Sequence, residues 1–311
     1  RLEANSVSDP ALLSITNALH ARLDLLEKKP GAAIVRMRRA IGLEAMLATP
    51  TRLPEWYLQL AVADAPNRPA HVASAYRALE SIRPVMPVRD DLTEESTLAL
   101  RMRKSFQEEV SVLLAALSSK SGGSIEGVQK IIEAYREAEI ASVLGDDCVP
   151  PTPTPVGPAN LDRNELILYP IVLSDRLELL YATGADKVYR QVVVAGVKGA
   201  DVAALARDLQ SAAADASEDE AWKAPARRLY EILIKPLEAE LFVAGARDKP
   251  TLIVIPDGPL RGAPLAALLD AQDRPLILKA RLAIAPSLSF APSAEGTDAR
   301  RAVPGRGWRG R

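Results

Sequence analysis

The sequence predicts a helical N-terminal region of the α-solenoid kind followed by an α/β region. Three observations carry this. Residues 1–148 are rich in Ala, Leu, Arg and Glu and repeat their apolar side chains at helical spacing. Residues 149–160, Val-Pro-Pro-Thr-Pro-Thr-Pro-Val-Gly-Pro-Ala-Asn, hold five prolines and form a stiff linker poor in backbone donors. Beyond the linker the apolar period drops from about 3.6 to about 2, and strands alternate with helices.

In the first region, Asp9-Pro10 supplies an N-cap and an N1 proline for a helix running to about Leu26. Lys29-Pro30-Gly31 breaks it, and a second helix spans about Ala32–Leu47. Pro50 and Pro54 bracket the next break; shorter helices follow over Glu55–Ala63 and Pro69–Ile82. The clearest helix spans about Leu92–Ser118. Asp91 and Glu94 have capping-box spacing, and Leu98, Met102, Phe106, Val110, Leu113 and Leu117 share one face. Ser121-Gly122-Gly123-Ser124 turns the chain into a partner helix, Ile125–Leu144, with Ile125, Val128, Ile132 and Tyr135 aligned. Paired helices of this size suggest a tetratricopeptide-like array, although no clean 34-residue self-match is present. A non-repeating helical array is the other reading.

In the second region, Glu165–Leu173, Leu177–Thr183 and Val188–Val194 read as a β-meander with turns at Ser174-Asp175-Arg176 and Gly184-Ala185-Asp186. Helices follow over Gly199–Ala214 and Ala221–Leu241, the second kinked by Pro236 near Ile232–Lys235. Leu252–Ile255 is a buried strand stopped by Pro256-Asp257-Gly258-Pro259, and a short helix is expected over Ala263–Leu269. Short strands are expected around Leu276–Leu278 and Leu282–Ala285, in a partly parallel sheet with an antiparallel edge. Residues 294–311 carry five Arg and four Gly and no periodic pattern, so a disordered basic tail is expected.

The 311 residues are 48% hydrophobic and 25% charged with a formal net charge of −1, an ordinary globular composition. That balance gives no footprint for nucleic acid or a membrane surface. No apolar run of membrane-spanning length occurs, nor any signal-peptide pattern, so a cytoplasmic protein is expected. One cysteine, Cys148, rules out an internal disulfide, and two histidines, His20 and His71, make zinc improbable. No metal and no cofactor are expected.

Ile255-Pro256-Asp257-Gly258-Pro259-Leu260, followed by Pro264-Leu265-Ala266-Ala267-Leu268, resembles the signature near the start of the core of CHAT domains. These are caspase-like domains that follow tetratricopeptide repeats in many bacterial proteins. Leu229–Leu237 is similar to the family's preceding helix, and Ala285-Pro286-Ser287-Leu288 to its segment after the next strand. The meander, the helical region and the Gly145-Asp146-Asp147-Cys148 joint also fit, so the resemblance spans roughly residues 90–292. It implies a caspase-like cysteine endopeptidase acting on a protein substrate, with a His–Cys dyad and a backbone oxyanion site at the carboxyl ends of parallel strands. In the family, that dyad follows the Ala-Pro-Ser segment. Here no residue after Pro286 is His or Cys. The expectation is therefore an N-terminal part of a CHAT domain (161–293), truncated before its dyad, with no catalytic residue of its own.

Each candidate has a plainer reading. Cys148 follows Asp146 and Asp147, which disfavour its thiolate, and is read as incidental. His20 and His71 are read as surface or groove residues. Asp257-Gly258 is read as a turn, with a supporting place at a site rim as the alternative. Gly196, Gly199 and Gly258 lack phosphate-loop spacing, and Ser287 and Ser289 lack a Gly-x-Ser-x-Gly context. The basic tail either binds an acidic partner or is non-native sequence from a shifted reading frame beyond about codon 293. The helical arm is expected to bind a protein partner or substrate; the competing reading is a non-catalytic interaction scaffold. With later strands missing, the 251–255 strand should lie near an edge, favouring oligomerisation or low solubility.

Overall fold

The computed structural model describes residues 9–82, 103–118, 125–144, 157–214, 220–242 and 248–288. They fall into two compact units, Arg1–Val149 and Pro150–Arg311.

The first unit holds helices α1 (Pro10–Leu26), α2 (Pro30–Glu44), α3 (Leu53–Ala63), α4 (Arg68–Ile82), α5 (Arg103–Ser118) and α6 (Ile125–Leu144), each packed on the next. Asp9 caps α1 as expected, its Oδ1 accepting from the Ala11 N–H at 2.8 Å. The expected break falls just before Pro30, which opens α2, because a first-turn proline lacks only a donor that has no partner there anyway. The α1–α3 core is built from Ala18, Ala21, Ala33, Met37, Ala40, Trp56 and Leu60, and the small residues let α1 and α2 approach closely. At its centre Ser14 Oγ accepts from Trp56 Nε1 (2.9 Å) and lies 3.1 Å from Glu44 Oε2, whose other oxygen accepts from the Arg52 N–H. Buried polar groups here are thus mutually satisfied.

Leu79, Phe106 and Tyr135 join α4, α5 and α6; Phe106 and Tyr135 ring centroids lie 4.9 Å apart. In α5 the buried row is Phe106, Val110 and Leu114; Leu113 and Leu117, expected on that face, are only half-buried. A strict step of four selects Leu114. Residues 92–102 of the expected helix, the Ser121–Ser124 turn, residues 149–156 of the linker and the 294–311 tail lie outside the described residues. Packing of successive helices gives a helical array; it does not define a tetratricopeptide repeat.

The second unit is a five-stranded sheet of order β3-β2-β1-β4-β5. Its strands are β1 (Glu165–Val172), β2 (Leu177–Thr183), β3 (Tyr189–Val194), β4 (Thr251–Val254) and β5 (Arg281–Ile284). β1–β2 and β2–β3 are antiparallel, whereas β1–β4 and β4–β5 are parallel. The meander and the mixed sheet match the sequence expectation. Between β3 and β4 run α7 (Gly199–Ala214), α8 (Lys223–Leu233) and α9 (Glu238–Leu241). The break falls at a 3-10 turn over Lys235–Leu237, where Pro236 removes a helical donor. Leu166, Leu168 and Val172 of β1, Leu177 and Leu179 of β2, and Leu252 and Val254 of β4 pack on α7 and α8 through Val202, Ala206, Leu209, Leu229 and Leu233.

Two expectations fail. Ala263–Leu269 is not a helix: 3-10 turns occupy Gly258–Gly262 and Leu265–Ala267, because Pro264 holds the preceding Ala263 extended and Leu268 (ψ 133°) leaves the helical region again after one turn. Leu276–Leu278 is not a strand but the start of a short helix, α10 (Leu276–Lys279). Its apolar run served only one buried contact, Leu276, leaving Ile277 and Leu278 exposed. Among the described residues β4 lies near the edge, one strand in from the outer β5, and is paired on both sides.

Candidate functional site

Open α/β sheets place their sites where parallel strands end. Here that edge is formed by the exits of β1, β4 and β5. The ladders continue past the strands: the Ile255 N–H donates to Leu168 O (2.9 Å) and the Ala285 N–H to Val254 O (3.0 Å). Ile255 and Pro256 remain buried, and the chain then turns at Gly258, whose φ of +46° favours glycine. Asp257 Oδ2 accepts from the Val172 N–H at 3.2 Å, tying the β4 exit to the last residue of β1. Gly199, at the start of α7, touches the same corner: a Cβ there would lie 2.3 Å from Leu173 O. Ser287, just beyond β5, is fully buried.

A second polar group lies beside the β1–β2 corner. Arg176 bonds Glu178 and Asp175, and Glu178, only 1% exposed, also accepts from Gln191 of β3. Burial works against the charge on Arg176, but hydrogen bonds and attraction from Glu178 and Asp175 hold its pKa above the ordinary value. The arrangement can orient backbone and bind through charge. Among the described residues of this unit there is no histidine or cysteine.

Where the parallel strands begin lies a third cluster. Lys279 Nζ sits 3.0 Å from Asp270 Oδ2, donates to Tyr230 Oη at 2.6 Å and lies 4.6 Å from the Phe242 ring centre. Tyr230 in turn donates to Glu238 Oε1 at 2.6 Å. Burial and the Glu238 acceptor push the Tyr230 hydroxyl up to about 12. Burial opposes ionisation of Asp270, yet the Arg274 and Gln272 N–H groups, with Lys279 and the Arg274 side chain, hold it well below the usual carboxylate range. This is a staple joining α8, α9, α10 and the 270–275 turn.

Among the sequence candidates, Asp257-Gly258 proves to be the turn, and Asp257 adds a contact across 85 residues that no local pattern reveals. His71 Nε2 pairs with Asp64 Oδ2 at 3.0 Å and His20 Nδ1 faces Arg36 at 3.2 Å; the two histidines serve different helix contacts. Cys148 and Ser289 lie outside the described residues. The Lys279 staple and Glu178 were missed. A signal existed for Glu178, a lone acid in the apolar run Leu177-Glu-Leu-Leu180.

Residues 223–305 match the family model for the CHAT domain. Over this segment the chain is similar to the CHAT domain family. The match begins at the first residue of α8 and takes in β4, its turns, α10 and β5; the meander lies before it. No curated protein matches the chain significantly. No helix among the described residues is long and apolar enough to cross a membrane.

Proposed function

We propose that this chain contributes the non-nucleophilic half of a caspase-like thiol endopeptidase acting on a protein substrate, with the helical unit binding a partner or conveying a signal. The observation that carries the reading is the CHAT match over 223–305, laid on parallel strands β4 and β5 whose exits lie side by side as a platform. Segment 223–305 contains neither His nor Cys. The platform therefore supplies the sheet, the Asp257 anchor and the rim, while the attacking sulfur and its base come from a segment continuing the fold. This fits the chemistry: a thiolate needs an adjacent base, commonly a histidine, and the described residues of this unit include none.

A polypeptide in which this segment is joined to a His- and Cys-bearing CHAT segment should cleave a fluorogenic peptide library, and iodoacetamide should abolish the cleavage. Failure of such a folded polypeptide to cleave any protein or peptide would favour the scaffold reading, in which the helical array recruits a partner and the α/β unit only presents it.

A further inference from the structure

Helix α1 is patterned inside out. The residues it buries are small or polar: Ser14, Ala18, Ala21 and Asp24. The residues it exposes are leucines: Leu12 (51%), Leu19 (51%), Leu23 (54%) and Leu26 (80%). At 3.6 residues per turn those four fall within about 60° of one another, on the side opposite the buried face. Thr16 also lies on the stripe, and its hydroxyl is already bonded to Leu12 O at 2.8 Å, so it can be covered without losing a partner.

The spacing is that of a heptad seam. With Leu12, Leu19 and Leu26 at d, Thr16 and Leu23 fall at a, Arg22 at g and Glu27 at e. In a parallel pair of helices, a g residue meets the e residue five positions on in the other chain. That is Arg22 against Glu27, opposite charges, twice by symmetry. Both are exposed; among the described residues Arg22 has no ion pair and Glu27 pairs with the exposed Lys29. An antiparallel pair would instead set Arg22 near Ile15 and Glu27 near Leu13, with no charge matched.

We propose that α1 is a homodimerisation helix, pairing with α1 of a second copy in parallel through Leu12, Leu19, Leu23 and Leu26. The helix is already ordered by its packing on α2, so association does not carry the cost of forming it. The seam is short, and the area it can bury falls below the roughly 1,600 Å² total of a standard stable interface. The dimer is accordingly weak and concentration-dependent.

Sedimentation velocity of the full chain over roughly 1–200 μM tests this, a range that brackets a micromolar dissociation constant. The expected result is a monomer–dimer equilibrium. Leu19→Glu should weaken it at least about a hundredfold by placing a charge in the seam, with helix content unchanged by circular dichroism. Arg22→Glu and Glu27→Arg should each weaken it, and the double exchange should restore it. Ile284→Lys, on the outer strand β5, should leave it unchanged. A monomer at every concentration overturns the proposal and leaves the stripe to another chain. So does a dimer that survives Leu19→Glu or is abolished by Ile284→Lys. Failure of the double exchange to restore pairing refutes the parallel orientation.

Discussion

Replacing Asp270 with Asn probes the staple that holds α10 to α8. Asp270 is 3% exposed and accepts from the Gln272 N–H (2.9 Å), the Arg274 N–H (2.9 Å), Arg274 Nε (3.0 Å) and Lys279 Nζ (3.0 Å). Asn keeps one acceptor, which can serve the two backbone donors. Its amide NH₂ then faces the ammonium and guanidinium, donor against donor. Breaking a buried ion pair from one side costs about 3–5 kcal/mol. Two features lower that figure here. Arg274 is largely exposed and contributes little, and Lys279 keeps Tyr230, Glu238 and the two aromatic rings. The expected loss is about 2–3 kcal/mol, or roughly 5–10 °C in the Tm of a unit of this size. The pKa of Asp270 is lower folded than unfolded, so its contribution is full above about pH 4 and fades as pH falls through the folded value. The gap between the two proteins should therefore narrow in acid. Calorimetric melts at pH 7 and pH 3 measure both quantities. A difference below about 0.5 kcal/mol at pH 7, outside the range expected for a broken buried pair, or a gap that widens in acid, would refute the reasoning.

Other outcomes follow from single sites. Glu109 is buried with a raised pKa, chiefly from desolvation, so its ionisation weighs against the fold and stability falls as pH rises through its folded pKa. Glu109→Gln should stabilise by about 1 kcal/mol at pH 7, the gain vanishing in acid melts. Tyr230, raised to about 12, should be among the last of the seven tyrosines to ionise in a spectrophotometric titration. Its raised value stabilises the fold below pH 10, an effect lost as pH climbs through 12. Gly199→Ala drives a methyl to 2.3 Å from Leu173 O and should cost about 2 kcal/mol or more in urea unfolding. Asp257→Ala should cost about 1 kcal/mol and raise hydrogen exchange at the Val172 amide, which loses its acceptor.

The sequence disclosed those features whose cause is local. The Asp9-Pro10 cap, the Pro236 break, the turns that bound β1–β3 and the Asp257-Gly258 turn each depend on a few neighbouring residues; β1 and β2, buried along both faces, do not show the expected two-residue alternation. Where a proline forces the preceding residue to be extended, as Pro264 does to Ala263, apolar content alone misread turns as a helix. Where one apolar side chain sufficed, as at Leu276, a short run misread a helix as a strand. The position of β4 between β1 and β5 depends on register between segments more than 80 residues apart in the case of β1 and about 30 in the case of β5. The Lys279 staple is equally non-local, drawing on α8, α9, α10 and the 270–275 turn. The family wording around Asp257 was legible, and the match over 223–305 agrees with it.

Thiol-dependent turnover by the 311-residue chain tests the central claim most directly. The chain, the same chain treated with iodoacetamide, and Cys148→Ala should be presented with one fluorogenic peptide library at equal concentration. The account predicts that all three are indistinguishable from buffer, because the CHAT segment 223–305 carries neither member of a dyad. Turnover by the untreated chain that disappears with both iodoacetamide and Cys148→Ala would contradict it.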